Sequence, residues 1–163
     1  MISAVDTNVL LDLLIPNAKF VDRSLACLAQ AAEEGLLILN EIVFAELSSQ
    51  FLNQSDLNQF LSETTIQLRA SNEQVLWEAG RAWKEYSKRK TSNVCAACGK
   101  TLSVFCTQCG HPIQPKRHII SDFLIGAHAK TFADQLITRD RGFYRRYFKG
   151  LTIIDPQLDD VTP

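Results

Sequence analysis

Residues 1–14 constrain the fold more than any other stretch of the sequence. Ile2, Ala4 and Val5 are short and apolar, Asp6-Thr7-Asn8 interrupts them, and Val9, Leu10, Leu11, Leu13 and Leu14 resume. The polar centre makes this run a poor signal peptide or membrane span, and it carries neither a basic leader nor a small-residue cleavage site. It reads instead as strand, polar tip, helix. In open α/β sheets ligands bind where strands reach their carboxyl edge, so Asp6 is a candidate for chemistry. Asp6 as a simple helix cap is the alternative, since aspartate caps well.

A length of 163 residues suits one domain with a full core. No apolar run is long enough for a membrane, so the expectation is a soluble protein. The formal net charge of −1 gives no overall attraction to nucleic acid, and any polyanion site must be a local patch. Four of the five cysteines form two C-x-x-C pairs, which in a chain without a secretory signal points to metal rather than disulfides and to a reducing cytoplasm.

The remaining pattern alternates strands and helices. Helical spacing covers residues 20–34 and ends at Gly35, with Cys27 beside the apolar face as plain core. Residues 36–39 form a short buried strand. Asn40 caps a helix over 41–52 and Ser55 caps the next, while residues 64–68 alternate as a strand. Ser71-Asn72 opens a helix over 73–90 whose inner side carries Val75, Leu76, Ala79, Ala82, Trp83 and Tyr86. After a cysteine-rich segment, Ser121 caps a helix in which Gly126, Ala127 and Ala129 permit close packing. Residues 135–138 are a strand, 140–142 a turn, 143–148 a short helix and 151–154 the last strand. Strands separated throughout by helices imply a mainly parallel sheet covered on both faces.

Three further carboxylates stand at strand ends and helix starts. Glu46 shares the side of its helix with Ile42 and Val43 and is expected to face inward; Asp122 lies in the first turn of its helix, where the amide dipoles favour an anion; Asp140 follows the strand 135–138. Each alone also reads as a cap, a turn residue or a surface charge. Clustered without a counterion, the four would cost several kcal/mol in repulsion and desolvation. A hard divalent cation, Mg²⁺ or Mn²⁺, is the usual remedy, with open positions for a phosphate and an attacking water.

The opening D-T-N-V-L-L-D-L-L, the helix V-F-A-E-L, the segment D-F-L-I-G-A-H-A, and T-R-D-R-G-F-Y-R-R-Y-F followed by a short strand and proline together resemble the PIN-domain nucleases, above all the VapC-type toxin ribonucleases. The resemblance covers nearly all of the chain outside the cysteine segment. It implies a PIN-like three-layer α/β/α fold over residues 1–163 with a central, mainly parallel sheet. It also implies a metal site in which Asp6, Glu46, Asp122 and Asp140 match the family's acidic quartet. Thr7, Asn8 and Thr138 match polar positions that support the metal or its waters. Glu41 and Asp12 fall outside the quartet and read as helix-end and surface charges.

Cys95, Cys98, Cys106 and Cys109 form C-x2-C-x7-C-x2-C, and a glycine follows each pair. Two such knuckles supply four sulfurs, the donor set of a closed, structural Zn²⁺ site. A rubredoxin-like iron is the minor alternative, and His111 is a bystander because four sulfurs suffice. The stretch between the knuckles, residues 99–105, is long enough for a small hairpin. Residues 91–117 thus read as an inserted four-cysteine zinc ribbon, whose folding energy zinc would supply, where the family pattern has a shorter loop.

Arg139, Arg141, Arg145, Arg146 and Lys149 interleave with Phe143, Tyr144, Tyr147 and Phe148 around Asp140. They read as an RNA-binding patch, or as core rings beneath a solvated charged face. The leading expectation is a Mg²⁺- or Mn²⁺-dependent endoribonuclease. By resemblance it would be a cytoplasmic toxin held by a small antitoxin, as a homodimer, and an RNA-processing role without antitoxin fits the residues equally. A non-catalytic zinc-ribbon module binding RNA or protein is the rival class. A phosphotransfer hydrolase with Asp6 as nucleophile would want an aspartate where Asn8 stands.

Overall fold

The computed structural model describes residues 1–15, 20–88, 93–94, 101–102, 104–105, 107–110, 112–113 and 120–157. In chain order the elements are β1 (Ile2–Val5), α1 (Thr7–Leu14), α2 (Val21–Glu34), β2 (Leu36–Leu39), α3 (Glu41–Ser48), α4 (Gln54–Glu63), β3 (Ile66–Leu68) and α5 (Glu73–Ser87). Four two-residue strands follow, β4 (Asn93–Val94), β5 (Thr101–Leu102), β6 (Val104–Phe105) and β7 (Pro112–Ile113). The chain then forms α6 (Ile120–Phe132), β8 (Gln135–Ile137), α7 (Arg141–Tyr147) and β9 (Thr152–Ile154).

The five longer strands make one parallel sheet in the order β3-β2-β1-β8-β9. Parallel strands need both faces covered, which is why β2 is an unbroken apolar run and why the two polar residues of β1 and β8, Ser3 and Gln135, are buried and hydrogen-bonded to each other at 2.9 Å. Val5, Leu37, Ile38, Leu39, Leu136 and Ile137 are all at most 1% exposed. The expected α/β architecture with a parallel sheet between helices is the one observed.

The chain leaves central β1 toward β2 and β3 and returns on the other side as β8 and β9. The order therefore reverses between β1 and β8. Such a switch point opens a crevice at the carboxyl ends of its two strands, and Asp6 and Thr138 are the residues that step off them.

Several local expectations need correction. The third helix stops at Ser48 rather than running to residue 52. Asn53, not Ser55, caps α4 by accepting from the Asp56 amide at 3.0 Å. Ser121 lies inside α6, which has already begun at Ile120. Asn40 and Asn72 cap α3 and α5 as expected, each at 3.0 Å. On α5, Val75 and Ala79 are fully buried, but Leu76 and Trp83 are 52% and 45% exposed, because nothing among the described residues covers that side.

The cysteine segment pairs differently from the expectation of one hairpin between the knuckles. β4 pairs antiparallel with β5, and β6 with β7, so each pairing encloses one C-x-x-C. Cys95, Cys98, Cys106 and His111 lie outside the described residues, and Cys109 is exposed.

Candidate active site

Asp6 is set by β1 and α1 together. Its amide donates to the Ile137 carbonyl at 3.0 Å, which continues the β1–β8 ladder by one residue, and its carboxylate makes no cap on α1. Oδ2 instead accepts from Thr138 Oγ1 and from Asn8 Nδ2, both at 2.6 Å. Asn8 also donates to Thr138 Oγ1 at 3.1 Å, and that hydroxyl oxygen accepts the Asp140 amide at 3.0 Å. Asp6, Asn8 and Thr138 thus form a closed triangle tying the tip of β1 to the tip of β8. Thr7 points the other way, and its hydroxyl donates to Glu46 Oε2 on α3.

Asp140 does cap α7, accepting the Phe143 amide on Oδ1 at 3.1 Å. One turn along that helix is Tyr144, buried to 2% exposure. Burial pushes its hydroxyl well above the usual tyrosine value, and the charges of Asp6, Asp122 and Asp140 push it further; it is also hydrogen-bonded to Asp6. That hydroxyl therefore remains protonated and lies within electrostatic reach of three carboxylates. Glu46 completes the group from the other side, because burial first and the Glu46 charge with it raise the Asp6 carboxyl to about 6.

The sequence reading takes Tyr144 only as a base-stacking or core ring and misses its hydroxyl beside the acids. Its position four residues after Asp140, on the same helix face, was the available signal. Glu46 is exposed rather than inward-facing and reaches the site through its carboxylate only. Asp12 is not a surface charge: it is 7% exposed, accepts from Ser24 Oγ at 2.7 Å and pairs with Arg139 at 3.2 Å. Arg139 accordingly turns inward, with its guanidinium over the Phe20 ring. Arg141 is paired with Asp155 at 2.9 Å, whereas Arg145 and Arg146 are exposed. Phe143, Tyr144 and Phe148 are core rings, packed around Phe123 and Tyr147.

Among the described residues no three His, Cys, Asp or Glu side chains stand close enough together to hold one metal ion. The acids gather within electrostatic reach, not at ligating distance. Their chemistry nonetheless fits a hard cation. The donors are all carboxylate oxygens, and burial together with the Glu46 charge raises the Asp6 carboxyl to about 6, a cost that a bound cation would relieve.

A parallel-sheet α/β protein with an acidic cluster at its switch point is thereby defined. The PIN domain family model matches residues 4–149, and the chain belongs to that family, whose members are generally nucleases. Among solved structures it is similar to VapBC2 from Rickettsia felis bound to a promoter DNA fragment, at 19% identity over 95% of this chain and 98% of that one, with a TM-score of 0.60. It is also similar to VapBC-1 from nontypeable Haemophilus influenzae, at 21% identity over 97% and 100%, TM-score 0.56. FitAcB from Neisseria gonorrhoeae matches at 23% identity over 96% and 98%, TM-score 0.56. At these identities the likeness is one of fold. Comparison with curated proteins finds no match.

Proposed function

We propose that the chain is a Mg²⁺- or Mn²⁺-dependent endoribonuclease that hydrolyses RNA phosphodiester bonds. The observation that carries the reading is the gathering of Asp6, Asp122 and Asp140 about the buried Tyr144 hydroxyl, with Glu46 beside Asp6, at the sheet's switch point. These four carboxylates are the donors that an ion would draw together from their present spacing, and when bound it would supply a Lewis acid and a more acidic water. The chain's own part is to keep the acids aimed. Thr138 and Asn8 fix Oδ2 of Asp6, Thr7 fixes Oε2 of Glu46, and the Phe143 amide fixes Oδ1 of Asp140. Tyr144 keeps its proton and donates it toward Asp6, lowering that carboxyl against the effect of burial.

The test is cleavage of RNA by the purified protein with and without added Mn²⁺ or Mg²⁺, beside Asp6→Asn and Asp122→Asn. Ion-dependent cleavage lost in both variants is expected. Cleavage that survives in the variants would assign the activity to something other than this site.

The likeness to VapBC2, VapBC-1 and FitAcB supports a small antitoxin as partner. Among the described residues no helix is long and apolar enough to cross a membrane. Co-expression with the product of an adjacent small reading frame, followed by co-purification, checks the partner.

For residues 91–117 we propose a structural zinc ribbon held by four cysteines. The C-x2-C-x7-C-x2-C spacing and the strand pairings that enclose each cysteine pair support it. One zinc per chain by elemental analysis, reduced by Cys98→Ser, is the expected result.

A further inference from the structure

Away from the acids, a groove of about 890 Å³ runs between α5, the last turn of α6 and the end of α7. Two carboxylates line it, Glu78 and Glu85, and each is engaged by a cation three residues on, Arg81 at 3.6 Å and Lys88 at 2.6 Å. Lys84, Lys130, Arg146 and Lys149 also line the groove, and none has a carboxylate partner among the described residues. The groove is therefore four charges positive on a chain whose formal net charge is −1. Beside the cations on α5 stands Trp77, 68% exposed, with Leu76 at 52%. Between them Gly80 leaves open space where a side chain would stand.

Unpaired cations along a cleft together with an exposed indole are what a flexible polyanion with flat bases requires: phosphates meet the amines and guanidinium, and a base stacks on the ring. The groove is also joined to the acids by the helices that hold them. Lys130 is eight residues beyond Asp122 on α6, and Arg146 six beyond Asp140 on α7, or about 12 and 9 Å along the axes at 1.5 Å per residue. We propose that this groove binds single-stranded nucleic acid and leads an RNA strand to the carboxylates. The second half of that statement rests on the ribonuclease reading, and the first does not.

The test is binding of a fluorescent oligouridylate by anisotropy, without added divalent ion so that no cleavage intervenes, at several salt concentrations. Wild type is compared with the double charge reversal Lys84→Glu/Lys149→Glu and with Trp77→Ala. All three positions are exposed, and a thermal melt confirms that the variants fold. The expected results are a loss of affinity of at least tenfold in each variant and a shallower salt dependence in the charge reversal, because fewer counterions are released. Unchanged affinity and slope would overturn the groove, as would displacement of the oligonucleotide by polyglutamate as readily as by unlabelled oligonucleotide. Cleavage by wild type with Mn²⁺ is scored separately. Cleavage with no effect of the groove variants leaves the nuclease and removes the groove, whereas variant-sensitive binding without cleavage leaves the groove and removes the nuclease.

Discussion

Arg139 Nη2 lies 3.2 Å from Oδ1 of the buried Asp12, and the same guanidinium nitrogen donates to the Asn8 carbonyl at 3.0 Å. The Arg139 amide donates in turn to Asn8 Oδ1 at 3.1 Å. One residue thus clamps the end of β8 to the first helix and fixes the asparagine that orients Asp6. Removing Arg139 leaves the Asp12 charge, 7% exposed, without its partner. Arg139→Ala should therefore cost about 3 kcal/mol in urea denaturation, the usual scale for a broken buried pair. The double variant Arg139→Met/Asp12→Leu should recover much of that loss. An RNA-contact role for Arg139 would give the opposite pattern, with weaker RNA binding and unaltered stability.

The Asp6 carboxyl, raised from 3.8 to about 6, makes folding stability depend on pH. Between those values the folded chain holds a proton that the unfolded chain has released, so folding stability falls as pH rises from about 4 to 6. The full difference is about 3 kcal/mol at neutral pH without a bound divalent ion. His128 acts in the other direction. Burial holds its value below 6.5, so its contribution is complete above that pH and is lost as pH falls. Comparing wild type with Asp6→Asn isolates the Asp6 part. The variant should show a flatter decline between pH 4 and 6, and Mn²⁺ should stabilise wild type but not the variant. Parallel pH profiles for the two proteins would contradict the raised value.

What could be read in the sequence is what depends on neighbours along the chain. Buried parallel strands are short and mainly apolar, so β1, β2 and β8 were visible despite Ser3 and Gln135, and Asn40 and Asn72 announce their helices because a cap acts three residues away. Asn53 and Ser55 are both cap formers two residues apart, and composition does not choose between them. The Asp12–Arg139 pair was hidden because its halves meet only when β8 lies against β1. Helical spacing marked Leu76 and Trp83 as inward, but period alone does not say whether the fold supplies anything to cover that face. The acids were legible as residues at strand and helix ends. That the charges of Asp6, Asp122 and Asp140 all act on the Tyr144 hydroxyl was not.

At Gly126, α6 passes close against the ring of Phe148. A β-carbon there would stand 2.2 Å from Phe148 Cε2, so the ring, 3% exposed and packed in the core, would have to move. Gly126→Ala should cost about 1–3 kcal/mol despite the better helix propensity of alanine, because overpacking a tight core outweighs that gain. Shortening the ring in Gly126→Ala/Phe148→Leu should return part of the loss. Since Phe148 directly follows α7, the single variant should also lower any cleavage activity by displacing Asp140 and Tyr144. A stable Gly126→Ala protein would show that the two helices are free to separate.

Tyr144→Phe removes one hydroxyl from among the carboxylates and leaves the ring. The hydroxyl is one of the groups that lower the Asp6 carboxyl against burial, so its loss raises that value further. A higher value means less ionised Asp6 near neutrality and weaker attraction for a cation. The melting temperature should change little, because the ring contacts with Phe143 and Phe148 persist. Ion-dependent cleavage should fall severalfold at pH 6 to 7, and the acid limb of its pH profile should move upward. More Mn²⁺ should be needed for half-maximal activity, and raising pH should recover part of the loss. A lower plateau with an unmoved pH profile would assign Tyr144 a packing role alone.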